Sequence, residues 1–201
     1  SLHISSKLSG TIDSAYQAKR AFPGAPIAIV DSLSTSMALG FQALAASRMA
    51  NLGATLEECR VVAERAVRHS GVLFTVSTLE YLRRGGRIGN AAAFLGTMLN
   101  LKPVLQLKDG VIEPVEKVRT LSKAIERMLD LAEKQIGHSS GPIHLAALQA
   151  GTIQEGENLL AKALKRFSPS VVSDAIVTDI SPVIGTHVGP GALGIAYLAG
   201  M

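Results

Sequence analysis

The sequence predicts an α/β chain in two parts: a parallel sheet covered by helices over residues 1–70, and an α+β unit with a mixed or antiparallel sheet over residues 71–201. Three observations predict it. Up to Ser70, short apolar runs alternate with helical periods in the order strand, helix, strand, helix, helix. From Gly71 the register changes, and two strand runs meet at an Asp-Gly pair that suits a tight antiparallel hairpin. Helices and strands then mix to the end, with no internal repeat and no low-complexity linker.

The chain opens on the end of a strand and then ISSKLSGT, Ile4 to Thr11, with hydroxyls at Ser5, Ser6, Ser9 and Thr11. A helix follows with Ile12, Ala15, Tyr16 and Ala18 on one face, until Pro23-Gly24-Ala25-Pro26 breaks it. IAIVDS, Ile27 to Ser32, reads as a buried strand ending in a carboxylate and a hydroxyl. Thr35 to Leu52 is a helix rich in small and apolar residues, closed by Gly53. Thr55 with Glu58 three residues on is a capping box for a helix to about Ser70.

In the second part, Val72 to Val76 is a strand. Ser77 or Thr78 caps a short helix through Leu82, which Gly85-Gly86 ends. Arg87 then sits on a glycine-flanked loop before an Ala-rich helix, Asn90 to about Met98. LKPVLQL and GVIEPVEKV, joined by Lys108-Asp109-Gly110, form the hairpin, and Pro103 and Pro114 belong at strand ends or edges. Thr120 to Ile136 holds the helical period through Leu121, Ala124, Ile125, Met128, Leu129, Ala132 and Ile136. After Pro142 come the strand IHLAALQA, a helix over Glu155 to Phe167, the strand VVSDAIVTDI, a loop SPVIGTHVGPG, and a final strand ALGIAYLAG.

Composition narrows the functions. With 201 residues and 47% hydrophobic content the chain is long enough for a core and is not disordered. No apolar run is long enough to span a membrane, and no signal-peptide pattern opens the chain. The single Cys59 excludes an internal disulfide; it falls in the series Leu56, Cys59, Val62, Ala63, Ala66 as a small buried hydrophobe, and a cytoplasmic location fits. The net charge of +4 is scattered, and aromatics make up 4% without Trp, which argues against nucleic acid as a partner. His3, His69, His138, His144 and His187 show no metal-ligand spacing, and there is no HExxH. There is also no GxSxG elbow and no GxxxxGK[ST], and GGRIG does not reproduce the dinucleotide fingerprint, so no metal, no catalytic residue and no nucleotide cofactor is assigned.

Two stretches could hold an anion. Ile4 to Thr11 puts hydroxyls at a helix start, where free backbone N–H groups and the helix dipole favour negative charge; a simple Ser-rich helix cap reads equally well. THVGPG, Thr186 to Gly191, places His187 beside a hydroxyl and a Gly-Pro-Gly turn, where an imidazole either serves a carboxylate or phosphate or pins its own turn. Arg87 and Arg119 each stand at a loop or strand end next to a helix start, where an exposed guanidinium can pair with an anion.

Taken in order, ISSKLSGT, IAIVDS, the run from FTVSTLEYLRRGGRIGN to EPVEKVRT, and VIGTHVGPGALG resemble the DegV family of bacterial fatty-acid-binding proteins across nearly the whole chain. The resemblance implies a two-domain α/β protein that buries one long-chain fatty acid in a tunnel and has no other cofactor. It implies a carrier without catalysis of its own, whose carboxylate is presented to a separate ATP-binding fatty acid kinase subunit for acyl phosphate formation and phospholipid synthesis. It leaves room for a transient membrane contact. Ser6, with Ser5 the near alternative, and His187 beside Thr186 are implied to receive the carboxylate, and Arg87 and Arg119 to lie near the mouth or the kinase-facing surface. The rival readings are a stand-alone hydrolase or transferase using Ser6 with His187, and a non-catalytic regulatory module. Relative to a typical member, roughly the first quarter, with its Thr-Ser-Gln-Pro-Ser-type segment, does not precede ISSKLSGT here.

Overall fold

Two sheets organise the chain. The computed structural model describes residues 1–96, 101–137 and 141–201. β1 (Leu2–His3) pairs in parallel with β2 (Val30–Asp31), as the strand-helix-strand order requires, across helix α1 (Thr11–Ala21). β2 is shorter than the expected Ile27 to Ser32. Ile27 to Ile29 makes no ladder pairing, and α1 buries only Ile12, with Tyr16 44% exposed.

Helices α2 (Ser36–Asn51) and α3 (Leu56–His69) follow, and the Thr55–Glu58 capping box forms as read. Cys59 is only partly buried, because in α3 the positions that go fully inside are Ala63 and Ala66.

The larger sheet has six strands in the order β5-β4-β3-β8-β6-β7. They are β3 (Ser70–Thr75), β4 (Lys102–Lys108), β5 (Val111–Val118), β6 (Ile143–Gln149), β7 (Val172–Asp179) and β8 (Leu193–Ala199). Only β6 and β7 pair in parallel; the other neighbours are antiparallel. Asp109 and Gly110 both have positive φ, the backbone of a primed two-residue turn, which sets the β4–β5 hairpin. Pro114 sits on the edge strand β5, and Pro103 lies just beyond the part of β4 that β3 pairs with, so neither breaks a ladder bond to a central strand.

Each face of this sheet is covered. On one, Leu73, Val104, Leu145 and Ile195 pack against α5 (Leu121–Ile136) and α6 (Ile153–Leu164). Arg166 ties α6 to α5 through Glu126, Asp130 and Glu133. On the other face, Val72, Ala146, Ala196 and Leu198 meet Ala38 and Phe41 of α2. There the buried His144 bonds Asp174 through Nδ1 at 2.6 Å, and Arg48 of α2 reaches the same carboxylate at 2.9 Å.

The rest of that face is closed by α4 (Glu80–Arg84), a 3-10 helix (Gly89–Phe94) and α7 (Pro182–Val188). The 3-10 helix stands where an Ala-rich α-helix was expected to run to about Met98; Thr97 to Asn100, and also His138 to Ser140, lie outside the described residues. α7 corrects the reading of SPVIGTHVGPG as a loop. Ser181 caps it through the Ile184 amide, Pro182 occupies its first turn, and Gly189 ends it at positive φ. No helix among the described residues is long and apolar enough to cross a membrane.

Candidate functional site

The segment from Ile4 to Thr11 leaves β1 and is held at four points. The Ser5 amide donates to Ser34 O, and the Ser5 hydroxyl donates to Gly110 O of the hairpin turn at 2.8 Å. The Asp31 carboxylate accepts from the Ser6 amide and from the Leu33 amide. Arg87 Nε then donates to Leu8 O at 3.0 Å. Ser5 is fully buried and its oxygen also accepts from the Lys7 amide, so its hydroxyl is committed to the fold. The Ser6 side chain is exposed.

Fixing this segment opens a cavity of about 240 Å³ against the sheet. Its floor is Val72, Phe74, Leu107, Leu148 and Gly194, and α7 supplies Val183, Ile184 and His187 along one wall. Ile4, Leu8, Ser9 and Thr11 come from the held segment, and Thr35 and Ser36 from the start of α2. Ser9 and Thr11 share a hydrogen bond of 2.7 Å. The Thr35 side chain makes no cap bond, and Ser36 takes a positive φ of 52°, a strained conformation for a non-glycine residue at the cavity wall.

Arg87 and His187 meet through Gly85. Arg87 Nη1 donates to Gly85 O at 2.8 Å, and a Cβ on Gly85 would collide with the His187 ring. The His187 Nδ1 is buried and has no hydrogen-bond partner among the described residues. Arg83 and Arg84 both pair with Glu80, whose carboxyl those two guanidiniums hold down at about 2. Among the described residues Arg87 pairs with no carboxylate and no acidic side chain lines the cavity. An apolar chamber with hydroxyls, an imidazole and an uncompensated cation suits an amphiphile with a negative head.

Of the six residues singled out in the sequence, the structure brings Arg87 and His187 to this cavity. Ser5 and Ser6 lie outside its lining, so no Ser6–His187 pair forms there. Thr186 turns its hydroxyl back to Val183 O within α7. Arg119 is exposed at the end of β5, away from the lining. The hydroxyls that do line the cavity are Ser9, Thr11, Thr35 and Ser36. Ser9 and Thr11 belong to the stretch read as an anion site; Thr35 and Ser36 carried only the signal of a helix start.

Comparison with known proteins agrees with this architecture. The family described as uncharacterised protein, DegV family, matches residues 1–200. A DegV domain-containing protein of Streptomyces coelicolor is 45% identical over 198 residues, which is 97% of this chain and 68% of that protein. A DegV family protein of Thermus thermophilus, solved as a fatty-acid-binding structure, is 39% identical with a TM-score of 0.88, covering 98% of this chain and 70% of its own. A stearic-acid-binding protein from Eubacterium ventriosum is 25% identical with a TM-score of 0.88, over 99% of this chain and 69% of its own. The chain belongs to the DegV family.

Proposed function

We propose that this chain binds a long-chain fatty acid in the cavity over the six-stranded sheet and presents its carboxylate to a partner ATP-dependent fatty acid kinase. The observation that carries the reading is the lining itself: among the described residues it is mostly aliphatic, with Arg87, His187 and four hydroxyls as polar groups and no carboxylate. Burying an acyl chain is favourable by about 0.8 kcal/mol per methylene, roughly 10 kcal/mol gross for a palmitoyl chain. The carboxylate cannot enter unpaired, and the guanidinium, the imidazole and the hydroxyls are the groups that receive it. The fatty-acid-binding relatives of the same fold support the ligand class.

The division into residues 1–70 and 71–201 belongs to the same proposal. The six-stranded sheet begins at Ser70, and the ligand lies where α2 and the held segment of the first part cover the sheet of the second. Thr186 within α7 and Ser6 in the held segment support the surroundings of the head group rather than touch it, and Arg119 faces the kinase.

Native mass spectrometry of gently purified protein tests the reading. Co-purifying long-chain fatty acid is the expected result. Protein that stays empty after incubation with palmitate and stearate would refute it.

A further inference from the structure

We propose that Gly194 determines how much acyl chain the cavity admits, by leaving a gap in the strand row between Phe74 and Leu148; this rests on the fatty-acid reading of the cavity. Gly194 sits in β8, at the middle of the sheet, opposite Phe74 on β3 and opposite Leu148 on β6. All three line the cavity.

Glycine inside a central strand weakens it, and three things usually account for one there: a bulge, a backbone conformation other residues avoid, or a close approach of something to the backbone. The pairing of β8 with β3 and β6 runs through Gly194 without a shift in register, which removes the bulge. Gly194 is not among the glycines with positive φ, which removes the conformational reason. Space remains. A Cβ at this position would stand 3.1 Å from the Phe74 Cβ, 3.4 Å from the Leu148 Cδ1 and 3.0 Å from the Leu73 carbonyl oxygen. It would point to the face shared by Ala196 and Leu198, two and four residues on, which is the α2 and cavity face of the sheet. One added carbon is closer than van der Waals contact to Phe74 and at the limit of contact with Leu148, so these side-chain walls must shift to admit it, and the cavity floor that they form with Gly194 rises.

The test is a competition among laurate, myristate, palmitate, stearate and arachidate for delipidated protein, with the retained acids identified by mass spectrometry. Gly194→Ala should move the preferred acid to a shorter chain, with about a four-fold loss of retention for each methylene that no longer fits. Phe74→Leu, which widens the same gap from a partly buried wall, should move the preference to a longer chain. Folding of each variant is checked by thermal melting; if Gly194→Ala does not fold, the shift in Phe74→Leu decides alone. An unchanged preference in the folded variants overturns the role of Gly194 while leaving the fatty-acid reading standing. A wild-type protein that retains none of the five acids overturns both.

Discussion

Replacing Arg87 by leucine removes the one guanidinium at the cavity that no described carboxylate neutralises. Two of its hydrogen bonds hold carbonyls, Leu8 O and Gly85 O, and the remaining donors are those a ligand carboxylate can take. A hydrogen bond to a charged group is worth about 1.5–3 kcal/mol, or roughly ten- to hundredfold in affinity. Because Arg87 is exposed, screening puts the effect near the lower end, about tenfold at physiological salt, and larger as salt is reduced. The assay is displacement of a fluorescent fatty acid by palmitate and, in parallel, by the uncharged alcohol of the same chain. Palmitate should weaken about tenfold in Arg87→Leu, while the alcohol changes by less than about twofold. Equal losses for acid and alcohol would refute the reasoning, since Arg87 would then act only by holding Leu8 and Gly85 in place. Arg87→Lys should recover part of the charge effect and little of the two carbonyl contacts.

Ser5→Ala should cost about 1–3 kcal/mol in a denaturant melt, because it strands the buried Gly110 carbonyl and Lys7 amide contacts, and it should leave the acid-to-alcohol difference unchanged. Gly85→Ala keeps an allowed backbone, φ −74°, but drives a methyl into the His187 ring; palmitate displacement should weaken markedly with only a small change in melting temperature, and unaltered binding would remove His187 from the site. Asp174 is held below the usual carboxylate range by Arg48 first and by His144, so its contribution is present above about pH 4 and is lost as pH falls through its lower folded-state value. Asp174→Asn should flatten that part of the acid limb of stability by no more than about 1 kcal/mol, as the pair is partly solvated. Arg119→Ala should leave palmitate binding intact and lower acyl phosphate formation when ATP and a partner kinase are supplied; a matching loss of binding would remove Arg119 from the proposed docking surface.

Local rules made the regular elements readable. The helix at Leu121–Ile136 carries its period and its Gly137 stop in the sequence, although Thr120, read as its first residue, is its cap, and the Asp109-Gly110 turn announces its hairpin. α7 was hidden because seven residues with a glycine inside show too little periodicity, although Ser181-Pro182 and Gly189 are helix-end signals on either side. The strand read over Ile27 to Ser32 looked longer than it is, since pairing length depends on a partner strand and not on the apolar run itself. At the site, Arg87 and His187 stood out by residue type and glycine neighbours. Which hydroxyls face the cavity was not legible, because the direction of Ser5 is decided by Gly110, a residue 105 positions away.

β8 is the last strand in chain order and yet lies between β3 and β6. Until it is in place, the β3–β4–β5 meander and the β6–β7 pair are separate fragments with no common ladder. The pairing that joins them spans more than a hundred residues for β3, a high contact order that slows folding. During synthesis, the chain therefore exposes two unjoined strand edges, at β3 and β6, until Leu193–Ala199 has left the ribosome. The cavity floor is drawn from both fragments and from β8, so the cavity is absent until β8 is paired, and any ligand held there can stabilise only the completed sheet.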